Sequence, residues 1–209
     1  MSYKAIFFDW DGVITDSVNI KTEAFAALYH EYGEEIERKV VRYHLCHGGL
    51  SRFEKIKYFH NHYLHIDINE AELSMLSAKF SNIIFNSIVD SNLIPGALET
   101  LTKEALKGTM LFVVTGTPTE EIQKIAEAKN LLRFFIEIIG SPASKTNIIA
   151  HLMNKYALAT TECLMIGDAL EDYQAAINND IAFMGIASTS NEFKVEFPQG
   201  TLVRKDVRI

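Results

Sequence analysis

The stretch FFDWDGVITDS, residues 7–17, runs from an apolar segment into two aspartates, Asp9 and Asp11, which are separated by one residue and followed by a glycine. A short apolar run that ends in polar residues predicts a buried strand, and here both carboxylates leave its C-terminal end. Ligands bind at that end of the strands in an open parallel sheet, so the spacing presents a nucleophile and a proton-transfer group at one crevice. Taken alone, Asp-x-Asp is equally compatible with an acidic turn.

Other motifs that bind metals or nucleotides do not fit this stretch. An EF-hand calcium loop begins with the same Asp-x-Asp spacing, but Val13 occupies its third ligand position and the glycine comes too early. The chain also lacks a Walker A sequence and a GxGxxG that follows a strand. The sequence therefore excludes the common nucleotide-binding loops.

A second predicted strand ends in hydroxyl and glycine residues. In VVTGTPTEE, residues 113–121, the apolar run stops at Thr115-Gly116. Thr117 and Glu120 then have the spacing of a helix capping box, with a proline at the first helical position. A hydroxyl and free backbone amides at such a helix start form a natural site for phosphate oxygens. The simpler alternative is that Thr117 only caps the helix and Thr115 only ends the strand.

Two further segments place a lysine and more carboxylates beside predicted strands. In GSPASKTNII, Lys145 follows a predicted strand and lies near a helix start, where it would either neutralise phosphoryl charge or simply be solvated. In LMIGDALEDYQAA, an apolar strand leads into Asp168 and Asp172. Magnesium prefers oxygen ligands of this kind, so two strand ends together predict a Mg²⁺ site.

The predicted strands alternate with helical patterns, as in a parallel α/β sheet. The strands are the apolar runs at 4–9, 110–115, 163–168 and 181–186, with another at 134–140, and the helical patterns span 97–106, 119–130 and 145–156. The interval from about residue 16 to residue 89 departs from this rhythm because it contains long helical patterns and no convincing strand. Capping-box spacing at Ser51 and Asn69 predicts helix starts there. We therefore predict a helical insertion, with a return to the core at Pro95-Gly96.

Composition limits the partners that the chain can bind. Its 209 residues are 48% apolar and carry a net charge of −7, and an acidic surface attracts neither nucleic acid nor an anionic membrane. Cys46 and Cys163 form no CxxC pattern, so neither a disulfide framework nor a zinc site is indicated. The first residues do not match a signal peptide, and no apolar run reaches the roughly 18 residues of a membrane helix. We expect a cytoplasmic protein with a local positive site for a small anionic substrate; the sequence indicates no oligomeric state.

Four segments resemble, in order and spacing, the four motifs of the haloacid-dehalogenase-like superfamily. They are the DxDGV run that starts at Asp9, the strand-terminal Thr115, the isolated Lys145, and the GDxxxD run that contains Asp168 and Asp172. The resemblance covers residues 4–15 and 90–187, and the four motifs together are highly specific.

The helical insertion resembles the small helical cap of the phosphoglycolate-phosphatase and β-phosphoglucomutase type. The implied fold is an α/β Rossmann-like parallel-sheet core, residues 1–15 and 89–209, with an inserted small α-helical cap domain, residues 16–88. The implied function is a magnesium-dependent phosphatase that hydrolyses a small phosphorylated metabolite.

The resemblance also implies catalytic roles. Asp9 is the expected nucleophile, which forms an aspartyl-phosphate, and Asp11 is expected to protonate the leaving oxygen and then to activate water. Mg²⁺ is expected to be held by Asp9, the backbone carbonyl of Asp11, and Asp168, where it offsets repulsion between phosphate and carboxylates. Asp172 is expected to bind the metal, to orient a metal-bound water or to orient Lys145.

Substrate-holding groups follow from the same resemblance. Thr115 and the Gly116 amide are expected to hold phosphoryl oxygens, and Lys145 is expected to offset charge on the nucleophile and the phosphate. In the cap, Lys21 and Arg52 are expected to contact the leaving group. The alternative for Arg52 is an exposed residue in the first turn of a helix.

A sugar-phosphate mutase of the β-phosphoglucomutase kind is the main alternative, because it would form the same phospho-Asp9. The segment GGLSR, residues 48–52, resembles the cap loop with which such mutases bind a distal phosphate. Those mutases typically carry a histidine at the position of Lys21 and lack an acidic residue that matches Asp172. Dehalogenases lack the second aspartate, Asp11, and enzymes that cleave phosphonates have alanine there. A non-catalytic phosphate-binding protein is the remaining alternative, although the catalytic residues are intact.

Overall fold

Six parallel strands form one sheet in the computed structural model, which describes residues 3–187 and 195–209. The strands are β1 (Ala5–Phe8), β2 (Met110–Pro118), β3 (Glu137–Ser141), β4 (Cys163–Gly167), β5 (Ala182–Ile186) and β6 (Leu202–Arg204). Their order across the sheet is β3-β2-β1-β4-β5-β6, so that β1 lies between β2 and β4. The predicted α/β, Rossmann-like parallel sheet is confirmed.

Helices surround this sheet, and their packing explains why β1 is apolar throughout. Side chains alternate along a strand, so Ile6 and Phe8 join the larger apolar core while Ala5 and Phe7 join the smaller one. The helices are α1 (Val18–Tyr29), α2 (Glu34–Cys46), α3 (Arg52–Phe59), α4 (Glu70–Asp90), α5 (Ala97–Leu106), α6 (Thr119–Ala128), α7 (Lys145–Lys155) and α8 (Leu170–Asn178). Within the described ranges, none of them is long and apolar enough to cross a membrane.

Helices α1 to α4 fill the interval between β1 and α5, as the sequence predicts. Both capping boxes are present: the Ser51 hydroxyl accepts from the Glu54 amide at 3.3 Å, and the Asn69 side chain accepts from the Glu72 amide at 3.0 Å. These caps satisfy backbone amides that a helix start otherwise leaves unpaired. The division of the chain into a core domain and a separate cap domain stays a prediction.

Aromatic side chains form the centre of this helical segment. The Phe59 ring is fully buried, and its centroid lies 5.7 Å from that of Phe25, 5.2 Å from that of Tyr29 and 5.8 Å from that of Tyr63. Edge-to-face and offset pairs at such distances add to the free energy of apolar burial. Helices α1 and α3 are therefore joined through one cluster of rings.

The start of α6 differs from the prediction. The capping box expected at Thr117 and Glu120 does not form, because β2 continues through Pro118 and α6 begins at Thr119. The Thr119 hydroxyl bonds both to the carbonyl of Gly140, at 3.3 Å, and to its amide, at 2.9 Å. These bonds tie the end of β2 to β3 and keep the backbone around Thr117 extended.

Strand β6 is absent from the sequence-based prediction. It consists of three exposed residues that pair with β5 at one edge of the sheet. Without a buried face, such a strand has no apolar pattern by which the sequence could reveal it.

Replacing Phe59 with alanine is expected to lower the free energy of unfolding by ~3–5 kcal/mol, because it removes a buried ring from the aromatic cluster and leaves a cavity. Chemical denaturation should measure this change. Met75→Ala is the matched control, since the Met75 side chain is largely exposed, and it should change stability by less than ~0.5 kcal/mol. Similar losses in both variants would contradict the assignment of Phe59 to the centre of the cluster.

Candidate active site

The C-terminal ends of the three central strands bring the predicted acidic and hydroxyl residues together. Asp9 and Asp11 follow β1, and Asp168 follows β4, which pairs with β1. Thr115 lies near the end of β2, on the other side of β1. The parallel arrangement places these ends at one edge of the sheet, where ligands bind in folds of this class.

Three carboxylates form a tight cluster at this edge. Asp9, Asp168 and Asp172 each bring one oxygen to within 4.8 Å of the others. Burial raises the pKa of Asp168 well above its usual range, and the negative charges of Asp9 and Asp172 raise it further. One oxygen of Asp9, Oδ1, is buried and has no hydrogen-bond partner among the described residues. Such an oxygen beside repelling carboxylates fits a hard divalent cation.

Lys145 neutralises part of this negative charge. Its ammonium lies 2.6 Å from Asp172 Oδ1 and 3.0 Å from Asp9 Oδ2. Burial alone would lower the pKa of Lys145, but the two carboxylates raise it above the usual range, so the side chain stays protonated. The second oxygen of Asp172 accepts from the Ala169 amide at 3.1 Å. Both Asp172 oxygens are thus engaged, one of them in holding Lys145.

Asp11 is held by a different set of donors. The Ser17 hydroxyl donates to Asp11 at 2.6 Å, and the Lys21 ammonium forms an ion pair with it. Burial tends to raise the pKa of Asp11, but Lys21 and the hydrogen bonds hold it below the usual range. Lys21 also donates to the Thr117 hydroxyl at 2.7 Å. Asp11 is therefore a carboxylate here, with Lys21 as its counter-ion.

The glycine after the second aspartate is required by its surroundings. Gly12 has φ +74°, a left-handed conformation that favours glycine, and a Cβ added there would lie 2.1 Å from Asp168 Oδ2. A side chain at this position would push the Asp168 carboxylate away from the cluster. The DxDG pattern thus reflects the close approach of the β1 loop to the end of β4.

The loop before α3 lies directly against the end of β2. A Cβ added at Gly116 would lie 3.2 Å from the carbonyl oxygens of Gly49 and Leu50, so glycine permits this contact. The Gly49 amide also donates to Glu171 at 3.3 Å. Segment 48–51 therefore covers the site in this conformation.

Arg52 and Glu121 join the helical segment to the core. The guanidinium donates to both carboxylate oxygens of Glu121, at 2.9 Å and 2.5 Å, and to the Ser81 hydroxyl at 2.6 Å. Both charged side chains are buried, and the Arg52 guanidinium also lies 4.6 Å from the centre of the Phe80 ring. A bidentate pair of this kind combines charge with fixed geometry.

A single cavity contains nearly all of the site residues predicted from the sequence. It is lined by Asp9, Asp11, Lys21, Arg52, Thr115, Gly116, Lys145 and Asp168. Asp172 contacts Lys145 from outside this lining. The roles predicted for these residues stay predictions, but their proximity is a property of the fold.

Sequence reasoning missed three residues that contact this site. Ser17 binds Asp11, Glu121 binds Arg52, and Lys55 lines the cavity. Thr117, which the sequence indicated as a helix cap, instead accepts a hydrogen bond from Lys21. One signal was available for Lys55: it follows Arg52 by three positions, and residues three apart share a helix face. No local signal marks Glu121, because its partner is distant in sequence.

Known proteins resemble the chain at several levels. A family model of haloacid dehalogenase-like hydrolases matches residues 3–180. A phosphoglycolate phosphatase of Vibrio parahaemolyticus is 32% identical over 101 residues, which are 46% of this chain and 44% of that relative. A 5'-nucleotidase of Pseudomonas aeruginosa is 27% identical over 207 residues, covering 89% of this chain and 83% of that relative. The crystal structure of a predicted phosphoglycolate phosphatase from Haemophilus somnus shares the fold, with a TM-score of 0.77, 20% identity and coverage of 99% and 96%.

Glu121→Gln is expected to loosen segment 48–51 from the end of β2. Removing one partner of a buried ion pair costs ~3–5 kcal/mol, and detachment would return the unpaired Arg52 to water. Amide hydrogen exchange in this segment should become at least about tenfold faster, which corresponds to ~1.4 kcal/mol. Glu120→Gln, at an exposed neighbouring position, is the control. Equal exchange rates in both variants would show that the Arg52–Glu121 pair does not hold the segment down.

Proposed function

The chain belongs to the haloacid dehalogenase-like hydrolase family, and on that premise we propose that it is a magnesium-dependent phosphatase of small phosphorylated metabolites. The observation that carries this proposal is the state of Asp9. One of its oxygens is paired with Lys145, and the other is buried and has no hydrogen-bond partner in the described part of the chain. A second aspartate, Asp11, follows the same strand end. Such a carboxylate is fixed in place and suited to nucleophilic attack.

The proposed reaction proceeds through an aspartyl-phosphate. An oxygen of Asp9 attacks the phosphorus atom, the bond from phosphorus to the ester oxygen breaks, and Asp11 gives a proton to the departing oxygen. Asp11 then takes a proton from water, and the water oxygen attacks the phosphorus of the aspartyl-phosphate. The bond between phosphorus and the Asp9 oxygen breaks, which releases inorganic phosphate and frees the Asp9 carboxylate. Asp9 and Asp11 return to their starting states.

The surroundings of Asp11 suit this double role. Lys21 and Ser17 stabilise its carboxylate form, which is the form that accepts a proton from water. A phosphate dianion in the cavity would add negative charge next to Asp11 and attract Lys21, and both effects raise the pKa of Asp11. The substrate itself thus favours the protonated form that the first step needs.

The proposed metal ligands are Asp9, the backbone carbonyl of Asp11, and Asp168. Mg²⁺ bound there would offset the charge between the phosphate and the carboxylates. Asp172 is assigned to positioning Lys145, because both of its oxygens already accept hydrogen bonds.

Phosphate binding is assigned to the C-terminal end of β2, beside β1 at the same edge of the sheet. The Thr115 hydroxyl and the Gly116 amide hold phosphoryl oxygens, while Lys145 offsets the charge of the nucleophile and the phosphate. The substrate must be small, because segment 48–51 lies against Gly116. A cytoplasmic location is proposed with the function, as is the absence of nucleic-acid and membrane partners.

The mutase alternative is less well supported. It would need Arg52 to bind a distal phosphate. In this structure, however, both terminal guanidinium nitrogens of Arg52 donate to the carboxylate of Glu121. Lys21, at the position where the mutases carry histidine, is paired with Asp11. A non-catalytic phosphate-binding protein would not need the paired arrangement of Asp9 and Asp11.

Asp9→Asn is expected to abolish phosphatase activity, by at least about 10³-fold, while preserving the fold, because the amide keeps the shape of the side chain and removes the nucleophile. Release of phosphate from 4-nitrophenyl phosphate would measure the activity, and circular dichroism the fold. Asp16→Asn, at an exposed position a few residues along the same loop, should retain activity. Undiminished turnover in folded Asp9→Asn protein would remove Asp9 from the mechanism.

Chelation is expected to stop turnover and Mg²⁺ to restore it. Mg²⁺ should also raise the melting temperature of the wild-type protein, since a ligand that binds only the folded state stabilises it. In Asp168→Asn protein, the metal-free melting temperature should rise, because a repelling carboxylate is gone, and the response to Mg²⁺ should disappear. Differential scanning calorimetry tests both statements without an assay of activity. A full Mg²⁺ response in this variant would exclude Asp168 as a ligand.

A further inference from the structure

Four basic side chains line the active-site cavity, and three of them already have carboxylate partners. Lys145 is paired with Asp9 and Asp172, Lys21 with Asp11, and Arg52 with Glu121; the fourth cation is Lys55. Over the described ranges, Lys55 forms no ion pair with a carboxylate. Among the described cations of the cavity, Lys55 therefore remains available to pair with an incoming anion.

Lys55 is buried, and its direct contacts carry no negative charge. The side chain is 2% exposed, and its ammonium contacts His44 Nδ1 at 2.9 Å and the Gly48 carbonyl at 3.3 Å. The Phe25 ring centre lies 5.8 Å away. A buried ammonium without an anion costs free energy, and residues selected only for folding seldom include one.

Electrostatic effects show how strongly Lys55 needs a counter-charge. Burial lowers the pKa of Lys55 to about 7, with Lys21 and Lys145 acting in the same direction and Glu171 and Asp11 opposing them. An anion that enters the cavity would raise this pKa again and stabilise the ammonium. Lys21, Lys145 and Asp11 line the same cavity as Lys55, so the Lys55 side chain borders the space proposed to hold the substrate.

We propose that Lys55 binds a second anionic group, a carboxylate or a second phosphate, on the leaving-group side of the substrate. The inference rests on the proposed phosphatase function and deepens it, because it restricts the substrate to phosphate esters that carry another negative charge. The phosphoryl group lies at the strand ends, next to Asp9, whereas Lys55 belongs to α3, in the segment that covers them.

His44 acts as a positioning residue for Lys55. Burial and the neighbouring Lys55 and Lys21 charges lower the pKa of His44 well below its usual range, so its imidazole is neutral. A neutral imidazole can accept a hydrogen bond from the ammonium through Nδ1. It therefore orients Lys55 without neutralising it, and leaves the charge to the substrate.

Matched substrates separate recognition of the second anion from chemistry. Phosphoglycolate and ethyl phosphate have nearly the same size and differ in a carboxylate against a methyl group. The bisphosphate of 1,3-propanediol and propyl phosphate form the equivalent pair for a second phosphate. With Mg²⁺ present, the wild-type protein should favour, in one of the two pairs, the ester that carries the second anionic group. The expected preference is about 10- to 100-fold in kcat/KM, as for a charge-assisted contact. The pair that shows the preference identifies the second anion.

Lys55→Met should reduce the ratio of the two kcat/KM values to nearly one, chiefly by raising KM for the ester that carries the second anionic group. Lys55→Gln, which keeps a polar group beside His44 but removes the charge, is the second variant in case methionine disturbs the fold. Lys57→Met is the control, because Lys57 is an exposed residue of the same helix, paired with Glu70, and it should keep the wild-type preference. A preference that survives in both Lys55 variants would overturn the inference, as would its absence from the wild-type protein.

Binding to the Asp9→Asn variant tests the subsite independently of turnover. Calorimetric titration should show tighter binding of the ester that carries a second anionic group than of its partner that lacks this group. In the Asp9→Asn, Lys55→Met double variant, this difference should disappear. Equal binding of the two esters would overturn the inference. If the wild-type protein hydrolyses neither member of either pair, the proposed function fails for these esters, while the titration still decides whether Lys55 binds a second anion.

Discussion

The ion pairs of Lys145 with Asp9 and Asp172 are the interaction on which this site depends. Three carboxylates lie within a few ångströms of one another at the ends of β1 and β4 and at the start of α8, and their mutual repulsion opposes folding. The ammonium of Lys145, brought in at the start of α7, offsets part of that repulsion and fixes the orientation of Asp9. Within residues 3–187 and 195–209, Asp168 has no ion-pair partner and one oxygen of Asp9 has no hydrogen-bond partner, and a divalent cation would complement this negative charge.

A second set of contacts couples the helical segment to this charged edge. The Arg52–Glu121 pair, the bond from the Gly49 amide to Glu171, and the contact of segment 48–51 with Gly116 all cross between the helices and the strand ends. Because Arg52 is engaged in this attachment, the proposed recognition of a second anion is assigned to another cation of the same helix, Lys55. In this proposal, Arg52 attaches α3 to the core and Lys55, one turn along the same helix, binds the second anion of the substrate.

The local parts of this architecture could be predicted, and the parts that depend on distant pairing could not. Asp9 and Asp168 follow apolar runs directly, so strand position alone places them at one edge. Ser51 and Asn69 cap helices through residues three positions away, which the sequence displays. By contrast, the extended backbone at Thr117 depends on β3, and the partners of Arg52 and Lys55 depend on how helices pack. Nothing within a few residues of these positions encodes such contacts, so the spacing of Thr117 and Glu120 predicted a capping box that does not form.

The close fit between Gly116 and the carbonyls of Gly49 and Leu50 has a kinetic consequence. In the proposed mechanism, substrate and released phosphate must pass segment 48–51, which lies against the end of β2, so we expect the segment to detach and reattach in each cycle. On that expectation, the rate at which the Arg52–Glu121 pair opens would limit the turnover number. A firmer attachment would keep the phosphate ester in place for longer but would delay product release, and a weaker one would do the reverse. The Arg52–Glu121 pair is therefore a position at which natural variation could exchange turnover rate for retention of the substrate.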